Sequence, residues 1–87
     1  MSFVIYTVPN CVYCVKAKEL FKLNNIEYIE VLLEKNEFVK KVNEFIQGEN
    51  LKTAPQITVT GKLIGGYTDL TYYLDNNSNS FNNSDDF

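Results

Sequence analysis

Phe3-Val4-Ile5-Tyr6-Thr7-Val8-Pro9-Asn10-Cys11-Val12-Tyr13-Cys14-Val15-Lys16-Ala17-Lys18-Glu19-Leu20 changes its hydrophobic period at Pro9-Asn10, and that change decides the fold. Before it, β-branched and aromatic residues run without a charge, which predicts a buried strand over Phe3–Val8 closed by a turn. After it, Val12, Val15, Ala17, Leu20, Phe21 and Leu23 recur at helical spacings with Lys16, Lys18, Glu19 and Lys22 between them. A helix from Val12 to about Leu23 follows. Asn24-Asn25 ends it, because Asn tolerates left-handed backbone at a helix C-terminus.

Working outward, Ile26–Leu33 places Ile29, Val31 and Leu33 on one face and Tyr28, Glu30 and Leu32 on the other, which predicts a second strand. A second helix starts at Glu34-Lys35-Asn36, carries the apolar stripe Phe38, Val39, Val42, Phe45 and Ile46, and stops at Gly48. A loop from Glu49 leads to Pro55. Gln56–Thr60 is a strand, Gly61-Lys62 a tight turn, and Leu63-Ile64 the returning strand, broken by Gly65-Gly66. Thr68 reads as the N-cap of a short helix from Asp69 to about Asp75. The order is β-α-β-α-β-β-α, an α/β fold. Two strands joined through a helix lie parallel, the last two form a hairpin, and three helices cover a four-stranded mixed sheet. Residues 1–75 form the domain; the Asn/Ser/Asp-rich tail 76–87 reads as flexible.

At 87 residues the chain makes one domain with one core, so a ligand must sit at the surface or in a shallow groove. The net charge of −3, with eight cations that are all lysine, leaves no basic footprint for nucleic acid and no guanidinium fork for phosphate. No apolar run is long enough for a membrane span. Met1 is followed by Phe3-Val4-Ile5-Tyr6 without a positive flank, so no signal peptide is expected and the cytoplasm is the expected location. The absence of histidine excludes Ser-His-Asp and Cys-His catalysis. Two cysteines alone cannot close a tetrahedral zinc site, so no metal site is expected within the chain.

What remains is chemistry that Cys11 and Cys14 do together. Cys11 falls where a strand ends and a helix begins, among unpartnered N–H groups and the positive end of the helix dipole. A thiolate is stabilised there, and the thiolate is the reactive form. Cys14 lies three residues on, on the same face, at a spacing of roughly 5 Å that a disulfide accepts. Cys11 is therefore the expected nucleophile and Cys14 the resolving thiol. The competing readings are half of a metal site, against which stands the absence of histidine and of a further cysteine, and two core cysteines, which fits Cys14 better than Cys11 after the Pro-Asn turn.

The same segment, together with Thr53-Ala54-Pro55-Gln56-Ile57 and Ile64-Gly65-Gly66-Tyr67-Thr68-Asp69-Leu70, resembles the glutaredoxin family in three motifs in the family's order, across about residues 3–75. The small size, the Asn/Lys-rich composition and the Cys-Val-Tyr-Cys variant are similar to glutaredoxins of bacteriophages. The resemblance implies a thioredoxin/glutaredoxin fold and a glutathione-dependent dithiol-disulfide oxidoreductase. It would act on protein disulfides and protein–glutathione mixed disulfides, as a monomer, with glutathione as co-substrate, no bound cofactor, and ribonucleotide reductase among its partners. It also implies a cis bond before Pro55, which offers the backbone of Ala54 to an extended peptide, with Thr53 beside it. Free N–H groups at Tyr67, Thr68 and Asp69 would hold the γ-glutamyl carboxylate of glutathione. Asp69 either takes the γ-glutamyl ammonium or only complements the helix dipole. Tyr13 flanks the site; Tyr67 joins it as a wall, whereas core packing is preferred for Tyr6.

The departures from the pattern open alternatives. Many glutaredoxins carry a lysine where this chain has Val8, and a Gln or Arg where Phe45 or Ile46 falls; Lys52 or Gln47 are the available substitutes. Val12 replaces the usual proline between the cysteines, restoring an N–H and freeing φ. One alternative is a thioredoxin-like protein disulfide reductase fed by a flavoprotein reductase. Another is a glutaredoxin that shares an iron–sulfur cluster between two subunits.

Overall fold

The structure, a computed structural model, describes residues 2–46 and 53–77. It contains β1 (Phe3–Thr7), α1 (Val12–Leu23), β2 (Tyr28–Leu32), α2 (Phe38–Ile46), β3 (Gln56–Val59), β4 (Lys62–Gly65) and α3 (Tyr67–Asn77). The expected stop at Gly48, Gln47, Lys52 and the tail beyond Asn77 lie outside the described residues.

The four strands form one mixed sheet in the order β2-β1-β3-β4. β1 runs parallel to β2, Phe3 opposite Tyr28 and Thr7 opposite Leu32, because α1 carries the chain back between them. β1 is antiparallel to β3, and β3 to β4. Along β1 the burial alternates: Phe3, Ile5 and Thr7 are buried, Val4 and Tyr6 half-buried. On the first face, Phe3, Ile5, Ile57 and Val59 meet Ala17 and Phe21 of α1 and Leu70 of α3. Phe21 has no exposed surface, stacks on Tyr28 at 4.9 Å and meets Phe3 edge-on at 5.4 Å. Truncating a phenylalanine so placed costs about 3–5 kcal/mol, so Phe21 anchors α1 to the sheet. On the other face Tyr6 meets Phe45 of α2, ring centroids 6.0 Å apart, and α2 buries Phe38 and Val42.

Several local expectations shift. α1 spans the expected residues but buries Cys14, Ala17 and Phe21, while Val12, Val15 and Leu23 are 66%, 51% and 80% exposed. The cysteine completes a buried row at i, i+3 and i+7, and the other three fall on the opposite side of the helix. β2 starts at Tyr28 rather than Ile26 because the chain is still closing α1. Asn25 is left-handed at φ 56°, its N–H donates to Lys22 O at 3.1 Å, and Ile26 N–H donates to Phe21 O at 2.9 Å. Those two bonds make a Schellman motif. α2 starts at Phe38, not Glu34, because residues 34–38 form i→i+3 turns, Glu37 N–H to Glu34 O and Phe38 N–H to Lys35 O. The hairpin turn is Thr60-Gly61, with φ 50° and 82°, so Lys62 already pairs with Val59. Positive φ at both positions suits a two-residue loop between twisted strands.

α3 begins at Tyr67, so Thr68 is not its N-cap. Asp69 supplies the cap instead, its Oδ2 accepting from Gly66 N–H at 3.1 Å. A carboxylate at the third helical position that reaches back to the N–H before the helix is half of a capping box, and it moves the start forward. The helix runs to Asn77, two residues past the expected end.

Candidate active site

Asn10 is left-handed at φ 58°, a conformation Asn accepts more readily than most residues. It turns the chain after β1 so that Cys11, extended at φ −111° and ψ 108°, becomes the N-cap of α1. The Cys11 carbonyl accepts from Val15 N–H at 3.2 Å, and its Sγ accepts from Cys14 N–H at 3.1 Å. The sulfur thus takes the place a Ser or Asp oxygen has at an ordinary N-cap. Once the disulfide is reduced, an N–H donor and the positive end of the helix dipole are placed to stabilise a thiolate there. Cys14 is 2% exposed and lies behind it, whereas Cys11 is half-buried. The two are joined as a disulfide with Cα atoms 5.2 Å apart. One thiol is open to a partner and the other is reached only through the first.

Tyr13, which stands between the two cysteines in the chain, lines a groove of about 550 Å³ together with Thr53, Ala54, Pro55, Tyr67, Thr68 and Asp69. These residues come from α1, from the loop before β3 and from the start of α3. The Ala54-Pro55 bond is cis. Tyr13 and Tyr67 meet with ring centroids 5.8 Å apart, and the Lys16 ammonium sits 5.3 Å from the Tyr13 centroid. Tyr6 packs on Phe45 instead.

Residues that the sequence placed in motifs but not in the site also shape this groove. Gly65 is at φ 117°, and a Cβ there would come within 2.7 Å of Asp69 Cγ. A Cβ on Gly66 would lie 3.3 Å from the Pro55 carbonyl oxygen. The glycines therefore let α3's first turn close on the cis-proline loop. Gln56 lines the groove and is 5% exposed. Its position directly after Pro55 was the available signal. Below α1, Glu30 Oε2 accepts from Thr7 Oγ1 at 2.8 Å and from Lys18 Nζ at 3.0 Å. The Lys18 bond first, then the Thr7 bond, holds the Glu30 carboxyl below its ordinary range against a smaller opposing effect of burial. Among the described residues, no group of three or more His, Cys, Asp or Glu side chains is placed to hold a metal, and no helix is long and apolar enough to cross a membrane.

Comparison with known proteins adds four findings. A family model described as Glutaredoxin matches residues 3–64. The chain is 40% identical over 88 residues to Glutaredoxin 1 of Salmonella typhimurium, covering 93% of this chain and 99% of that protein. It is 37% identical over 75 residues to Glutaredoxin 1 of Rickettsia typhi, covering 79% of this chain and 66% of that one. Among solved structures, Glutaredoxin 1 from Francisella tularensis, complexed with cacodylate, matches with a TM-score of 0.74 and 33% identity, over 86% of this chain and 93% of that chain.

Proposed function

The chain belongs to the glutaredoxin family and is a dithiol oxidoreductase; we propose that it draws its electrons from glutathione and reduces protein disulfides and protein–glutathione mixed disulfides. The observation that carries this reading is the Cys11 sulfur, held at a helix N-terminus by Cys14 N–H, two residues from Tyr13, which lines the groove.

The Cys11 thiolate attacks the glutathione sulfur of a mixed disulfide. The S–S bond breaks, the protein leaves as a thiolate that takes a proton from water, and Cys11 is left bonded to glutathione. A second glutathione thiolate attacks the sulfur of the bound one, returning the Cys11 thiolate and releasing oxidised glutathione. With a protein disulfide, Cys11 attacks one sulfur and Cys14 then attacks Cys11. The partner leaves as a dithiol, and the Cys11–Cys14 disulfide is reduced by two glutathione molecules. In the bound state, Ala54 pairs through its backbone with the cysteinyl residue of glutathione, between Thr53 and Pro55. The N–H groups of Tyr67, Thr68 and Asp69 receive the γ-glutamyl carboxylate, and Tyr13 walls the groove. The Asp69 oxygen not bonded to Gly66 faces the γ-glutamyl ammonium. The reading places the protein in the cytoplasm as a monomer, with ribonucleotide reductase among its partners.

The test is Cys14→Ser, assayed on a glutathionylated peptide with reduced glutathione as sole reductant. Turnover is expected to continue, and Cys11→Ser is expected to abolish it. One observation favours a second reading: Val8 stands where many glutaredoxins carry a lysine. A Cys14→Ser variant idle with glutathione, alongside a wild type that reduces protein disulfides with a flavoprotein reductase, would select a thioredoxin-like reductase.

A further inference from the structure

Gln56 carries a buried oxygen with no hydrogen-bond partner among the described residues. Its Nε2 donates to the Thr53 carbonyl at 2.8 Å and lies 3.5 Å from the Thr53 hydroxyl, while Oε1 is buried without such a partner. The orientation of the amide is decided by chemistry: a carbonyl can only accept, so the nitrogen must face Thr53. Exchanging the two ends would set oxygen against oxygen. The chain therefore keeps an unpaired buried acceptor in order to hold one backbone carbonyl. A buried group left unpaired in this way marks a restraint kept for something other than stability.

The held carbonyl lies in the loop that borders the groove. Thr53 precedes Ala54, whose N–H and C=O have no partner among the described residues. Past Ala54 the buried Pro55 presents its carbonyl to Gly66, where even a Cβ would come to 3.3 Å. The strip is thus gripped on one side of Ala54 by the Gln56 amide and backed on the other by the start of α3. Gln56 is itself fixed, because it opens β3 and pairs with Tyr6 of β1. An extended peptide that adds to this strip gains main-chain hydrogen bonds only if the strip is already in register.

We infer that Gln56 is a positioning residue for substrate: its amide holds the Thr53 carbonyl and so keeps the Ala54 backbone set to pair with an extended glutathionyl or peptide strand. This rests on the groove being the substrate site, as proposed above. Gln56 bonds to Thr53, and the hydrogen bond to the Cys11 sulfur comes from Cys14 N–H, so Gln56 acts on substrate binding and not on the reactivity of Cys11.

The experiment uses Gln56→Met, which roughly keeps the side-chain volume and removes both the donor and the orphaned acceptor, assayed on a glutathionylated peptide. The expected result is a KM raised about tenfold, the scale of one lost hydrogen bond, with kcat and the pH profile of Cys11 alkylation unchanged. Gln56→Met is also expected to match or exceed the wild type in thermal stability, because it relieves the unpaired oxygen. Backbone ¹⁵N relaxation gives a reading independent of any substrate: Thr53 and Ala54 are expected to become more mobile in Gln56→Met. A folded Gln56→Met with unchanged KM and unchanged mobility at Thr53 and Ala54 would overturn the inference. So would a shift confined to kcat and the alkylation profile. If the wild type fails to turn over the glutathionylated peptide, the proposed function falls, and the relaxation measurement still decides the role of Gln56.

Discussion

Gly65 and Asp69 compete for one volume, and the absent side chain settles the competition. The Asp69 carboxylate occupies the space a Cβ at position 65 would fill, and from there its Oδ2 takes the Gly66 N–H. The backbone at Gly65, φ 117°, is one that a residue with a Cβ rarely adopts. Gly65→Ala therefore carries two penalties, backbone strain and a displaced cap, and is expected to destabilise the fold by about 2 kcal/mol. Asp69→Ala loses the cap alone, about 1 kcal/mol. The double variant is expected to lose less than the two single losses added, because an alanine at 65 no longer meets a carboxylate. Urea denaturation of the four proteins checks this; strict additivity would mean that Asp69 is not what position 65 excludes. The residue scale also limits what a sequence discloses. Gly65-Gly66, Thr68 and Asp69 offer two ways to start the same helix, and the choice depends on the approach of Gly66 to Pro55, a contact between residues far apart in the chain.

At the scale of elements, α1 decides most of what the site can do, and much of it is local. The αL residues that bracket it, Asn10 before and Asn25 after, are of a type that tolerates that conformation, so both ends of the helix are legible without tertiary information. Its buried face is less so. The apolar positions Val12, Val15 and Leu23 point to solvent because the row Cys14, Ala17 and Phe21 meets the sheet, and a hydrophobic count does not rank a cysteine above a leucine. A polar tie also crosses from α1 to β2, where Lys18 and Thr7 both donate to Glu30. Glu30 titrates below its ordinary range in the fold, so the unfolded chain binds its proton first as pH falls. The tie is present in full above the ordinary Glu value of about 4.3 and is lost as pH drops through the lower folded value. Glu30→Gln is therefore expected to cost about 1 kcal/mol or less near neutrality. The gap to wild type should close in denaturation curves taken at successively lower pH below about 4.3. A gap that stays constant down to acid unfolding would mean the carboxylate charge contributes nothing.

Across the whole molecule, the fold was open to reading because the first and last β-to-α changes of period fall at Pro9-Asn10 and Gly65-Gly66, and the site because its cysteines sit on the first of these. The Gln56 grip is local, a bond to Thr53 three residues back, but the sequence shows only its place after Pro55; that the amide is buried follows from β3 pairing with β1. Charge is the remaining whole-molecule property, and it works against the proposed co-substrate. Glutathione is an anion at neutral pH, and the chain carries a net charge of −3. The N–H groups at the start of α3 oppose that repulsion at one end of the groove. Of the cations that remain, Lys18 is paired to Glu30 and Lys16 lies against Tyr13. Val8, half-buried one residue past β1 and three before Cys11 in the chain, stands where a lysine would add a positive charge. Val8→Lys is accordingly expected to lower the KM for glutathione by about threefold to tenfold at low salt, the scale of roughly 1 kcal/mol for an exposed ion pair. The gain should fade as ionic strength rises past about 0.15 M, where the screening length is near 8 Å. A KM that does not respond to Val8→Lys at low salt would mean that the groove already meets the glutathione carboxylates through Lys16 and the α3 N–H groups, and that the lysine's absence leaves the choice of electron donor unaltered.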